Sequence, residues 1–156
     1  MHNKIKEIVR CIGIEKFDAE IATRNRETIS EILPIVVKEF YEHLDEIGMS
    51  RLFRSVDMAR LQARQIEHWR ELFRADFGDV YANRVTRIGI VHRDHEITPQ
   101  VYMQSYGWFT SRLVERLVAH PGIAAADRAR LAGVVLKLVH LDMTMALASY
   151  DAALID

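Results

Sequence analysis

The sequence predicts an all-α domain, and two observations carry that expectation. Three prolines and seven glycines in 156 residues leave few chain breaks. Apolar residues recur at three- and four-residue spacing from end to end, whereas no Val/Ile/Thr-rich stretch alternates between turn dipeptides as a sheet would require. A chain of this length is expected to form one domain, residues 1–156, with a single substantial core. No internal repeat, low-complexity tract or linker divides it.

Composition narrows the function classes. Lys and Arg number 21 against 22 Asp and Glu, and neither sign is gathered into a block. Neither nucleic acid nor an anionic membrane is therefore expected as a partner. No uninterrupted apolar run approaches the roughly 20 residues of a membrane span, and the opening Met-His-Asn-Lys-Ile-Lys-Glu is no secretory signal. The lone Cys11 has no internal partner, suits a reducing cytoplasm, and reads as a packed helix residue. A soluble, cytoplasmic protein is the expectation.

Lys4 to Ile12 places Ile5, Ile8, Val9 and Ile12 on one helix face and stops at Gly13. Asp18 starts the next segment. Thr28 and Glu31 have capping-box spacing, and Pro34 is expected to mark a kink or boundary, because it lacks a donor and crowds the preceding turn. From Ile35 to Ile47, Val37, Phe40, Tyr41 and Leu44 share one side, so Tyr41 faces the core. Ser55 and Asp57 offer the next helix start after a short connection at 48–54. In that helix Gln62, Ile66, Trp69 and Phe73 share a face, which sets an amide in an apolar stripe. Gln65 is rotated toward Leu61, His68 and Leu72 and is the reserve polar candidate.

The most informative stretch runs from Asp79, a plausible N-cap, to Tyr106. Tyr81, Val85, Ile88 and His92 fall at i, i+4, i+7 and i+11, so an imidazole closes an apolar stripe near a helix end. Two readings of His92 stand on spacing alone: a core histidine bonded to a backbone carbonyl, or a ligand. Thr98-Pro99 supplies a strong start for the following helix, capping hydroxyl then proline. That helix is expected to bury Tyr102, Tyr106, Phe109, Leu113 and Leu117 before His120-Pro121-Gly122 ends it. His95 is a rival ligand, but a zinc site normally takes three or four ligands, and His92-Arg93-Asp94-His95-Glu96 lacks the order of a zincin motif. The last helix, Ala124 to about Leu154, is apolar nearly all round, which calls for a second packing partner.

Arg87-Ile88-Gly89-Ile90-Val91-His92, followed by Pro99, Val101-Tyr102 and Tyr106, resembles the proximal helix and corner of the globin-coupled sensors, the haem-binding sensor globins of bacteria. Glu39-Phe40-Tyr41 resembles that family's distal B-helix motif. His68-Trp69 with Leu72-Phe73 resembles its E helix, and Leu141-Asp142-Met143 with Ala146 and Tyr150 resembles its last helix. The likeness covers almost the whole chain in the family's order. One departure lies in the corner, where Asp94-His95-Glu96-Ile97 stands in place of the family's Arg-Ile-Gly-Leu and so lacks its glycine.

The resemblance implies a globin fold with an extra N-terminal helix and a four-helix dimer interface from the last two helices of each copy. It implies haem b, iron protoporphyrin IX, with His92 as axial ligand, Tyr41 as principal donor to bound gas and Gln62 as second donor, Gln65 in reserve. Phe40, Ile66, Trp69, Phe73, Ile88, Val91, Tyr102 and Tyr106 are the expected pocket residues, with Tyr102 packing near the proximal imidazole. Dioxygen is the expected ligand, with carbon monoxide and nitric oxide as further ones, and a signalling output domain is the expected downstream partner. Two other classes are a haem enzyme acting on peroxide or nitric oxide and a cofactor-free helical dimerisation module. The first lacks any flavin or nicotinamide site, and the second leaves buried His92, Tyr41 and Gln62 without a role.

Overall fold

The computed structural model describes residues 2–151. Seven α-helices follow in order: α1 (His2–Ile12), α2 (Lys16–Arg24), α3 (Arg26–Glu46), α4 (Met58–Leu72), α5 (Asp79–Asp94), α6 (Pro99–Ala119) and α7 (Ala125–Asp151), with a 3-10 turn at Ser50–Phe53. No strand occurs among the described residues. The expected continuation of α7 to Leu154 lies outside them. Helix α7 is long and apolar enough to cross a bilayer by length and composition alone, yet 50% of that stretch is buried inside the fold, as suits a central core helix.

Helix ends follow the local chemistry, with several corrections to the expected boundaries. Gly13 adopts φ +75, its N–H meeting Arg10 O at 3.2 Å while Ile14 N meets Val9 O at 3.0 Å, so the last carbonyls of α1 are satisfied. Helix α2 starts at Lys16 rather than at Asp18, whose carboxylate acts from the third position by accepting Glu15 N–H at 2.8 Å. Helix α3 starts at Arg26, two residues before the Thr28 capping box expected there, and runs through Pro34 unbroken. Pro34 deprives the Ser30 carbonyl of its intrahelical donor, but the proline is exposed and Arg70 of α4 points a guanidinium at that carbonyl from 3.5 Å. Asp57 caps α4 by accepting Arg60 N–H at 3.1 Å, and Thr98 caps α6 by accepting Val101 N–H at 3.2 Å. Cys11 is exposed rather than packed.

The corner after α5 keeps a glycine-type backbone without the glycine. Glu96 sits at φ +58, its N–H on Arg93 O at 2.9 Å and Ile97 N–H on His92 O at 3.0 Å, the same closure that Gly13 gives α1. A non-glycine residue pays about 1–2 kcal/mol for that conformation. Retention of the bend brings Ile97 back onto the core and delivers Pro99 to the start of α6.

Helix α7 is the spine. It packs on α5 and α6 and also meets α1 and α2, while α3 packs on α6 and α4. Lys137 ties the α1–α2 corner to α7 through Gly13 O at 2.7 Å and Asp18 Oδ2 at 2.8 Å. Crossing of α5 on α7 is close because Gly89 has no side chain: a Cβ there would lie 2.0 Å from Ser149 Oγ and 2.2 Å from Ala146 O. In contrast, α4 rests on α3 and α5 on α7, and neither takes the other as a principal packing partner. Arg84 of α5 nevertheless reaches Glu71 of α4, Nη1 to Oε2 3.9 Å.

Candidate functional site

His92 stands in the last turn of α5. It is half-buried, one turn beyond Gly89, with Ile88 and Val91 on its other shoulder. Its Nδ1 donates to Ile88 O at 2.8 Å, so the lone pair is left on Nε2. Burial lowers its pKa, and His95 and His68 add to that, against the opposing pull of the Ile88 carbonyl and Asp142. A neutral ring with a free nitrogen is the form that ligates a metal. The ring also lies edge-on to Tyr102, centroids 5.0 Å apart at 80°.

His95 makes the same Nδ1 contact one turn later, to Val91 O at 2.8 Å, but is exposed in the corner. The two histidines therefore do not converge, and no group of three or more metal-ligating side chains occurs among the described residues. Of the remaining α5 candidates, Ile88 is half-buried and Val91 is 46% exposed.

Helix α3 supplies Phe40 and Tyr41. Tyr41 is half-buried, packed edge-on against Phe40 at 5.3 Å and Phe53 at 5.5 Å. Its hydroxyl makes no hydrogen bond to a described residue, and burial raises its pKa far above neutrality, so it keeps its proton. A phenol held in apolar surroundings with its proton uncommitted is a hydrogen-bond donor in waiting.

Helix α4 places the two glutamines differently from the sequence expectation. Buried His68, Trp69, Leu72 and Phe73 centre its inner face on Gln65, whereas Gln62 lies at the shoulder, half-buried and without a hydrogen bond to a described residue. Gln65 Oε1 is buried and accepts no hydrogen bond from a described residue. A buried acceptor left without a donor costs roughly 1–3 kcal/mol. Ile66 is half-buried beside it, while Trp69 and Phe73 are core residues, Trp69 stacked on Phe109 at 4.3 Å and 9°.

Sequence reasoning gave no role to the most polar part of the interior. Asp142 of α7 is fully buried and accepts from three helices: Tyr106 OH at 2.6 Å, Tyr81 OH at 2.7 Å and His68 Nε2 at 2.9 Å. Burial alone would raise its pKa, but the His68 ring and the tyrosine donors outweigh that and hold it below the usual carboxylate range. Tyr102 OH donates to Tyr106 OH at 2.9 Å, extending the network to the ring against His92. A lone carboxylate in the apolar run Leu141-Asp142-Met143-Thr144-Met145 was the available signal.

The residues present fit a haem on their own chemistry: α5 offers a neutral imidazole with Nε2 free, α3 a phenol whose proton is uncommitted, and α4 a buried amide oxygen that accepts from no described residue. The whole chain has the corresponding architecture: it is similar in structure to the globin domain of the Geobacter sulfurreducens globin-coupled sensor, with a TM-score of 0.80, covering 93% of this chain and 96% of that one. At 15% identity that likeness establishes the globin fold, extra N-terminal helix included. No curated protein sequence matches the chain. The Protoglobin family model matches residues 1–155, and the chain belongs to the Protoglobin family.

Proposed function

We propose that the domain is a haem b dioxygen sensor whose occupancy is relayed to a signalling output domain. The observation that carries this reading is a ligand-ready imidazole on α5 of a globin fold whose α3 carries a half-buried phenol with its proton uncommitted. His92 would hold the iron through Nε2, flanked by Ile88 and Val91, with Phe40 and Ile66 as pocket residues. When bound, the haem would supply an iron that takes up diatomic gases and polarises dioxygen far more than carbon monoxide.

Tyr41 is the principal donor to the polarised gas, and Gln65, at the centre of the inner face of α4, is the second, donating through its amide Nε2. A donor fixed in a low-dielectric site acts on developing charge and little on an apolar ligand. Tyr41→Phe keeps the ring packed against Phe53 and removes only the hydroxyl. Dioxygen dissociation is expected to rise about 10- to 100-fold, the equivalent of roughly 1–3 kcal/mol, with carbon monoxide dissociation nearly unchanged. Stopped-flow dissociation rates for both gases check this, and equal acceleration of the two would make Tyr41 a gate instead of a donor. Gln65→Leu is expected to show the same selectivity at smaller size, since a flexible amide loses more entropy when held.

The second apolar face of α6 and α7 supports a homodimer, four helices packed across a two-fold axis. Val118 and Leu136 are 37% and 46% exposed on these helices. Sedimentation at micromolar concentration should give a dimer and Leu136→Glu a monomer; a monomeric unmodified domain overturns the assembly.

A further inference from the structure

The Asp142 network reaches the ring that would ligate iron through Tyr106 and Tyr102, and among the described residues it makes no hydrogen bond to Tyr41 or Gln65. Its directionality is fixed by counting protons. Asp142 has none to give, so Tyr106 spends its single hydroxyl proton on Oδ2 at 2.6 Å, and its oxygen is left to accept from Tyr102 at 2.9 Å. The hydroxyl of Tyr102 is thereby pinned, and its ring cannot turn away from His92, which meets it edge-on at 5.0 Å. Tyr150 closes the other side of Tyr102, centroids 6.1 Å apart. The imidazole is thus held from two directions: the Ile88 carbonyl takes its Nδ1 proton, and the Tyr102 ring limits rotation of its plane.

We infer that Asp142 is a positioning residue for the proximal ligand, orienting the ring of His92 through Tyr106 and Tyr102. The inference rests on the reading of His92 as iron ligand and deepens it. Asp142 carries a second tie in parallel, to Tyr81 on the first turn of α5, at 2.7 Å. That bond has the same chemistry and the same acceptor residue, but Tyr81 lies eleven residues before His92 and does not lead to Tyr102. It is therefore the internal control: Tyr106→Phe and Tyr81→Phe each delete one phenol donor from Asp142, and only the first cuts the path to His92.

The test uses the haem-loaded chain and the apoprotein side by side. In Tyr106→Phe, and in Asp142→Asn if it folds, the iron–histidine stretch in the resonance Raman spectrum of the ferrous protein is expected to shift, and haem transfer to an acceptor globin to quicken about tenfold or more. In the apoprotein, the His92 ring signals should broaden in the NMR spectrum of Tyr106→Phe. Tyr81→Phe is expected to leave the stretch and the His92 ring signals in place and haem release within about twofold of the parent. Equal behaviour of the two phenylalanine variants, or an unmoved stretch in Tyr106→Phe, overturns the inference while leaving His92 as ligand. A parent chain that takes up no haem overturns the ligand reading itself, and the inference with it.

Discussion

His92→Ala is expected to leave a folded chain that no longer retains haem at one equivalent, whereas His95→Ala retains it with an unchanged Soret spectrum. Both histidines spend Nδ1 on the carbonyl four residues back, at 2.8 Å, so local bonding does not distinguish them. Placement does. His92 is half-buried against Tyr102, and His95 is exposed at the bend that Glu96 makes. Removal of the axial base should cost more than the roughly 10- to 100-fold that loss of a supporting contact costs a metal site. Exogenous imidazole is expected to restore the spectrum in His92→Ala, because truncation to Ala leaves a cavity of the ring's own shape. Haem titration monitored at the Soret band reads all three. A one-to-one complex with the parent spectrum in His92→Ala, without added imidazole, would remove His92 from the site.

What the sequence made legible was whatever one helix encodes by itself. Tyr81, Val85, Ile88 and His92 lie on one stripe, and the structure turns that stripe inward; the start at Thr98-Pro99 and the stop at Gly13 are equally local. Pro34 failed as a break signal because the lost bond falls on an exposed face, where a side chain from α4 stands at the vacated carbonyl. The stripe through Gln62, Trp69 and Phe73 was rotated from the true one, since His68 counts as polar in a sequence yet is buried by its bond to Asp142. That bond spans 74 residues, and those from Tyr81 and Tyr106 span 61 and 36. No spacing rule reaches so far. The polar interior became visible only once four helices had been brought together, although Asp142 announced that a buried charge must be paired somewhere.

Gly89→Ala is expected to destabilise the domain although alanine is the better helix former, and the reversal follows from geometry. In an ordinary helix interior the substitution gains about 1 kcal/mol. At Gly89 the new methyl would stand 2.0 Å from Ser149 Oγ and 2.2 Å from the Ala146 carbonyl oxygen, and the latter is backbone of α7. Rotation of the serine relieves the first contact; nothing short of moving α5 off α7 relieves the second. Overpacking usually costs about 1–3 kcal/mol and more where backbone must move, as here; roughly 3–4 kcal/mol against the ~1 gained leaves a net loss of roughly 2–3 kcal/mol. For a domain of this size that lowers Tm by about 5–10 °C. Gly133 is the contrast, a helical glycine of α7 whose added Cβ meets nothing within 4 Å, and Gly133→Ala should stabilise by up to about 1 kcal/mol. Gly89 lies one turn before His92, so the same displacement carries the imidazole away from Tyr102 and should weaken haem retention together with stability. Urea denaturation of the two apoproteins with haem titration of each checks both consequences. Equal stability of Gly89→Ala and Gly133→Ala would mean that α5 and α7 are free to part, and that their close crossing does not hold the proximal ligand in place.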